Sequence, residues 1–160
     1  MIVKGFQRIY NLKMVPDGFC RTKLEVFMKK YWGKYGITTM EEVEKLAEKN
    51  YCVLNAIHTE NPQDKINGVL IEIPREDFET YKKREEIYDL FETPYCIINP
   101  ENGEIQECHK HGYILSAHPQ YLIENGSAFM PYHNLARNGA YSFGEYFGKL
   151  FDETTLRVKR

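Results

Sequence analysis

Residues 51 to 90, "YCVLNAIHTENPQDKINGVLIEIPREDFETYKKREEIYDL", decide how this chain folds. Two short, β-prone apolar runs, 51 to 59 and 66 to 74, flank the polar turn segment ENPQDK and read as two buried strands. Pro74 then suits the first position of a helix, with Glu76 and Asp77 in its first turn and Lys82, Lys83 and Arg84 in its last, the charge order that a helix dipole favours. That helix should stop near Arg84. Glu85 and Glu86 follow at the end where negative charge is least comfortable. Phe78 and Tyr81 define the apolar face of the helix. Glu85 falls seven residues after the first and four after the second, so any continuation aims it at that face, whereas Glu86 is turned about 100° away. A carboxylate buried with few partners has a raised pKa, which makes a glutamate a usable proton shuttle near neutral pH. The plainer reading of KKREE is a solvated charge run with Lys82 and Glu86 as an ordinary i,i+4 pair.

Outward from this stretch the chain alternates strands and helices. Residues 2 to 10, IVKGFQRIY, open directly as a strand. In residues 19 to 32 the spacing of Leu24, Phe27, Met28 and Tyr31 gives the stripe of an amphipathic helix, closed by Gly33 and Gly36. TTMEEVEKLAEKN predicts a second helix with Thr38 or Thr39 as N-cap and acids in the first turn. Residues 87 to 98 and 104 to 117 form a predicted β-hairpin around NPENGE, where Asn102-Gly103 supplies positive-φ turn residues. The tail shows helical spacing through Tyr132, Leu135 and Ala136, then through Phe143, Tyr146, Phe147 and Leu150, and is expected to wrap the sheet as two short helices. Phe6, Tyr10, Phe27, Tyr31, Phe143 and Phe147 read as core.

Composition bounds the partners. A chain of 160 residues that is 42% hydrophobic and 14% aromatic suffices for one core. Its net charge of −2 supplies no broad positive field, so nucleic acid and membrane surfaces are excluded as expected partners. Cys20, Cys52, Cys96 and Cys108 are far apart and form no C-x-x-C pair. They are read as buried thiols of a soluble, cytoplasmic protein rather than a disulfide framework. His109 and His111 share one face of a predicted strand with Cys108 opposite, but two ligands without a third make no metal site, so none is assigned. KYGITT (34 to 39) runs into a helix N-terminus, a local geometry able to receive an anion.

Several segments, taken in order, resemble the γ-glutamylcyclotransferase-like family. GFQRIYNLK (5 to 13) is similar to its early aromatic-and-arginine strand, VLNAIHTENPQDKINGVLIEIPREDFE to its paired central strands and following helix, and KREEIY to the stretch with its catalytic glutamate. PYHNLARNGAYSFGEYFGKLFDETTL resembles the closing helix, with the aromatic position bordering the family's pocket falling on Tyr132. The resemblance implies an α+β fold, a small mixed β-barrel or sheet flanked by helices. It also implies a cofactor-free cyclisation in which the α-amino group of a γ-glutamyl amine or peptide attacks its own γ-carbonyl, giving 5-oxoproline and a free amine. Glu85 is then the general acid/base, Tyr132 lines the pocket, and Tyr88 and Arg8 are lesser candidates for its wall. The alternative is a non-catalytic relative that binds a small acidic or amide metabolite, or a protein partner. Family members grip the substrate carboxylate with a Tyr-Gly-Ser-Leu type loop after their first strand, and Met1 opens just after that point. The single domain, residues 1 to 160, is accordingly expected to be N-terminally incomplete, with a helical insertion at about residues 18 to 50. An unpaired first strand would invite pairing with a second copy of the chain.

Overall fold

The chain enters its fold through two strands in immediate succession, β1 (Ile2–Lys4) and β2 (Phe6–Lys13), separated only by Gly5. Gly5 has φ +76°, a state that glycine reaches without steric penalty. The bend there sends β1 and β2 into different sheets. The computed structural model describes residues 1 to 15 and 21 to 156. Cys20, and the side chains of Phe27 and Tyr31 that the sequence placed in the core, lie outside the described residues.

After α1 (Arg21–Phe27), which runs on through a π turn (Met28–Trp32) and a 3-10 turn (Gly33–Tyr35), come α2 (Met40–Ala47), β3 (Tyr51–His58), β4 (Lys65–Asn67) and α3 (Phe78–Arg84). The hairpin β5 (Tyr88–Ile98) and β6 (Ile105–Ala117) follows, then β7 (Ser127–Ala128), α4 (Met130–Phe143), α5 (Glu145–Thr154) and β8 (Thr155–Leu156). The fold is mixed α+β. One sheet has the order β4-β1-β5-β6 and the other β7-β3-β2-β8. No closed barrel forms among the described residues, because each sheet keeps two edges; the sheets are tied instead by side chains, such as Asn55 of β3 accepting from Ala117 N–H of β6 at 2.9 Å. No helix among the described residues is long and apolar enough to cross a membrane.

Among the sequence-based expectations, four about strands, core and thiols change. The strand predicted over 66 to 74 shrinks to Lys65–Asn67, because its ladder with β1 ends at the pair Ile2 and Asn67, and the apolar residues beyond have no strand beside them. Val69, Leu70 and Ile71 are exposed. The first strand is not an edge: β1 lies between β4 and β5, so the expected pairing with a second copy through it loses its basis. Phe143 is exposed rather than core, and the buried faces of α4 and α5 carry His133, Ala140, Phe147, Leu150 and Phe151.

The fourth change concerns the thiols. Cys96 and Cys108 face each other across the hairpin with Cα atoms 4.0 Å apart and are joined as a disulfide, with Cys108 exposed; only Cys52 is a buried free thiol among the described residues. Spacing in the sequence hid this pair because the β5–β6 register, not separation along the chain, brings the two positions opposite. Closing a loop with a sequence separation of 12 should stabilise the hairpin by about 3 kcal/mol. A Cys96→Ser, Cys108→Ser double variant is expected to show that loss in chemical denaturation, and equal midpoints would refute it.

The helical segment between β2 and β3 packs onto the body of the fold through Met14, Val15, Trp32, Ile37, Val43 and Phe129. Its second helix begins as the sequence predicts: Thr39 accepts from Glu42 N–H at 3.3 Å, and Glu42 returns to the Thr39 N–H at 3.0 Å, a capping box. Glu42 also takes the Thr38 N–H at 2.8 Å. The helix N-terminus read as an anion site is therefore filled by the chain's own carboxylate. Thr39→Ala should lower stability by about 1 kcal/mol, read as a shift in the thermal midpoint.

Candidate active site

The turn from α3 into β5 sets the position of Glu85. The helix assigned to α3 ends at Arg84, yet Glu85 N–H still donates to Tyr81 C=O at 3.0 Å, and Tyr88 N–H donates back to Glu85 C=O at 2.9 Å. One further helical bond keeps Glu85 on the face of Tyr81, as the residue spacing requires. Its side chain is 24% exposed, while Glu86 is exposed. The enclosure is partial: Arg84 Nε donates to Glu85 Oε1 at 2.9 Å from the solvent side. Glu85 shares a hollow of about 190 Å³ with Tyr81, Tyr88, Leu90 and Leu115. Tyr81, Leu90 and Leu115 are also part of the wall of a larger cavity of about 550 Å³.

Arg8 belongs to that larger cavity. β2 alternates strictly, turning Phe6, Arg8, Tyr10 and Leu12 inward, so a cation sits where the pattern calls for an apolar side chain. Arg8 is 9% exposed, and burial lowers its pKa to about 10, with nearby Tyr132 and Tyr10 opposing the fall. Its guanidinium donates to the Asn67 carbonyl, to Asn67 Oδ1 at 3.0 Å and to Thr155 Oγ1 at 3.3 Å, and lies 4.6 Å over the Phe151 ring.

Two tyrosines connect Arg8 with Glu85. Tyr132, from the first turn of α4, is close enough to Arg8 to feel its charge; burial, with Tyr35 adding to it, pushes the phenol up to about 12. Tyr88, at the start of β5, is pushed well above the ordinary phenol range by burial, then by Tyr132, Glu85 and Tyr81. Both phenols therefore remain O–H donors at neutral pH. Because the folded pKa of Tyr132 lies above the unfolded value of about 10, its contribution to stability is fully present below that pH and lost as pH rises through about 12. Tyrosinate absorbance of the folded wild type minus that of Tyr132→Phe should show no ionisation of this phenol at pH 10.

Of the four residues singled out from the sequence, Glu85 and Tyr88 border the smaller hollow and Arg8 the larger, while Tyr132 lines neither and acts on Arg8 and Tyr88 only electrostatically. Sequence reasoning missed Asn55 and Asn67, which are buried at 4% and 2% exposure and belong to the same large cavity. Their signal was visible: each is a polar residue inside an otherwise apolar β-prone run. Of the histidine pair, His109 stacks on Tyr95 at 4.9 Å between centroids, while His111 bonds Glu92 at 2.5 Å and belongs to the wall of the large cavity. No group of three or more metal-ligating side chains comes together among the described residues.

No protein-family model, no curated protein and no solved structure matches this chain.

Proposed function

We propose that this protein is a γ-glutamylcyclotransferase-like enzyme that releases 5-oxoproline from a γ-glutamyl amine or peptide. The observation that carries the reading is that Glu85 and Tyr88 border a hollow sharing a wall with the larger cavity of Arg8, with the buried Tyr132 within electrostatic reach of both Arg8 and Tyr88. Nucleophile and electrophile belong to one substrate molecule, so the protein has to hold a bent conformer and move protons, and the reading calls for no cofactor. Glu85 takes a proton from the α-ammonium group. The freed nitrogen attacks the γ-carbonyl carbon and closes the five-membered ring. The oxygen that gains charge in this step receives a hydrogen bond from the Tyr88 hydroxyl, which stays protonated. As the intermediate collapses, Glu85 returns its proton to the departing nitrogen and the bond from that nitrogen to the carbonyl carbon breaks; the second proton of the ring nitrogen then passes through Glu85 to the departing amine, which leaves as an ammonium.

A second reading, binding of a small acidic or amide metabolite without turnover, is favoured by one observation. Glu85 borders the smaller hollow and not the larger, and Arg84 holds its carboxylate. Incubation of the full chain with γ-glutamyl amines and γ-glutamyl dipeptides, with 5-oxoproline followed by mass spectrometry, separates the two. Catalytic release supports cyclisation. Saturable binding with no release above the uncatalysed rate establishes the second reading in its place.

A further inference from the structure

Arg8 is a buried cation whose partners are all neutral: the two oxygens of Asn67, the hydroxyls of Thr154 and Thr155, and the Phe151 ring. Among the described residues no carboxylate pairs with it. A buried unit charge without a counter-charge is destabilising, by an amount that hydrogen bonds to neutral groups only partly offset. Asn55 belongs to the wall of the same cavity. Its Oδ1 is taken by the Ala117 N–H at 2.9 Å, which fixes the orientation of the amide and leaves Nδ2 with no acceptor. The inner part of this wall therefore carries a permanent positive charge and an unused donor. Elsewhere the wall is largely apolar and open to solvent, where Val69, Ile71 and Tyr113 are exposed and Phe78 stands beside them, but it also includes His111, bonded to Glu92, and Met1, whose α-ammonium donates to the Gly68 carbonyl at 2.9 Å. A volume of about 550 Å³ is that of a small-molecule site.

We propose that this cavity binds an amphipathic ligand with a single carboxylate, held by the Arg8 guanidinium and Asn55 Nδ2, and an apolar end lying against Val69, Ile71, Phe78 and Tyr113. On the cyclisation reading, on which the identity of the ligand rests, the substrate is a γ-glutamyl derivative of an apolar amine whose α-carboxylate occupies the Arg8–Asn55 end. The leaving amine lies at the apolar mouth. A carboxylate on the leaving amine would lie against Val69, Ile71 and Phe78, which offer it no donor, and adds nothing to binding there.

The test measures binding, which does not depend on turnover. γ-Glutamyl-isopentylamide, its α-carboxamide analogue, γ-glutamyl-methylamide and γ-glutamylglycine are titrated calorimetrically into the full chain carrying Glu85→Gln. Replacing the α-carboxylate by the carboxamide is expected to weaken binding about 10- to 100-fold, because a charge-assisted pair is lost. Shortening isopentyl to methyl should weaken it at least about 10-fold, and γ-glutamylglycine should bind no better than the methylamide. Asn55→Asp keeps the acceptor for Ala117 N–H and places a competing carboxylate beside Arg8. It should lose the preference for the carboxylate ligand while still binding the carboxamide. Equal affinity for carboxylate and carboxamide, or no binding of any of the four, overturns the proposal. Release of 5-oxoproline by the wild type without carboxylate preference sinks this inference and leaves cyclisation standing; carboxylate-selective binding without release does the reverse.

Discussion

Glu85→Gln is expected to lower the rate of 5-oxoproline release by about 100- to 10,000-fold, the usual contribution of a positioned general acid/base. The substitution keeps the shape of the side chain and removes its ability to exchange a proton. It should leave the fold nearly untouched. The ion pair that it weakens joins Arg84, half exposed, to a carboxylate already 24% exposed, and surface pairs of that kind contribute little to stability. Activity and thermal midpoint are therefore expected to separate, with the first nearly abolished and the second changed by no more than about 2 °C. The same substitution at the exposed neighbour, Glu86→Gln, should leave release within about twofold of wild type. Equal release by wild type and Glu85→Gln would remove Glu85 from the chemistry, whatever the cavity binds.

The largest effect on stability is expected from Asn67→Ala. Asn67 lies in the three-residue strand β4, yet its side chain joins three elements: Oδ1 accepts from Arg8 of β2 at 3.0 Å, and Nδ2 donates to the Phe147 carbonyl of α5 at 2.8 Å. Truncation takes a charge-assisted bond from a buried guanidinium and leaves a carbonyl of α5 without that donor. The first costs about 1.5–3 kcal/mol and the second about 1–3 kcal/mol, so a loss of about 3–6 kcal/mol follows. For a chain of this size the thermal midpoint should fall by about 10 °C. Gln63→Ala, an exposed substitution in the preceding turn, serves as the control and should be nearly silent. A midpoint for Asn67→Ala within about 2 °C of wild type would show that Arg8 is held adequately without this side chain.

Local rules in the sequence located most of the elements and the glutamate. The apolar, β-prone run 51 to 59 placed β3, the strand-like opening 2 to 10 covered β1 and most of β2 without the break at Gly5, and Thr39 with the acids after it marked the start of α2. Asn102-Gly103 fixed the hairpin turn, where Gly103 has φ +78°. The spacing of Phe78, Tyr81 and Glu85 separated the half-buried carboxylate from its exposed neighbour, because helical geometry depends only on distance along the chain. Arg8, Tyr88 and Tyr132 are named only through the resemblance to the γ-glutamylcyclotransferase-like family. Residue spacing could not bring them together, since Arg8 and Tyr132 are more than a hundred positions apart and meet only when α4 packs on the β2 sheet.

What stayed hidden depends on pairing between distant segments. The apolar run 66 to 74 has the composition of a strand, but a strand also needs a neighbour to satisfy its backbone, and β1 extends alongside only as far as Asn67. Cys96 and Cys108 look unrelated along the chain until the hairpin register sets them opposite. Asn55 and Asn67 read as stray polar residues until folding makes one tie β3 to β6 and the other tie β4 to β2 and α5. Residue spacing alone determined which side chains share a face, because that follows from backbone periodicity. Only the tertiary structure decided which faces meet, and so which buried charge is left without a partner, because that follows from long-range packing that periodicity does not encode.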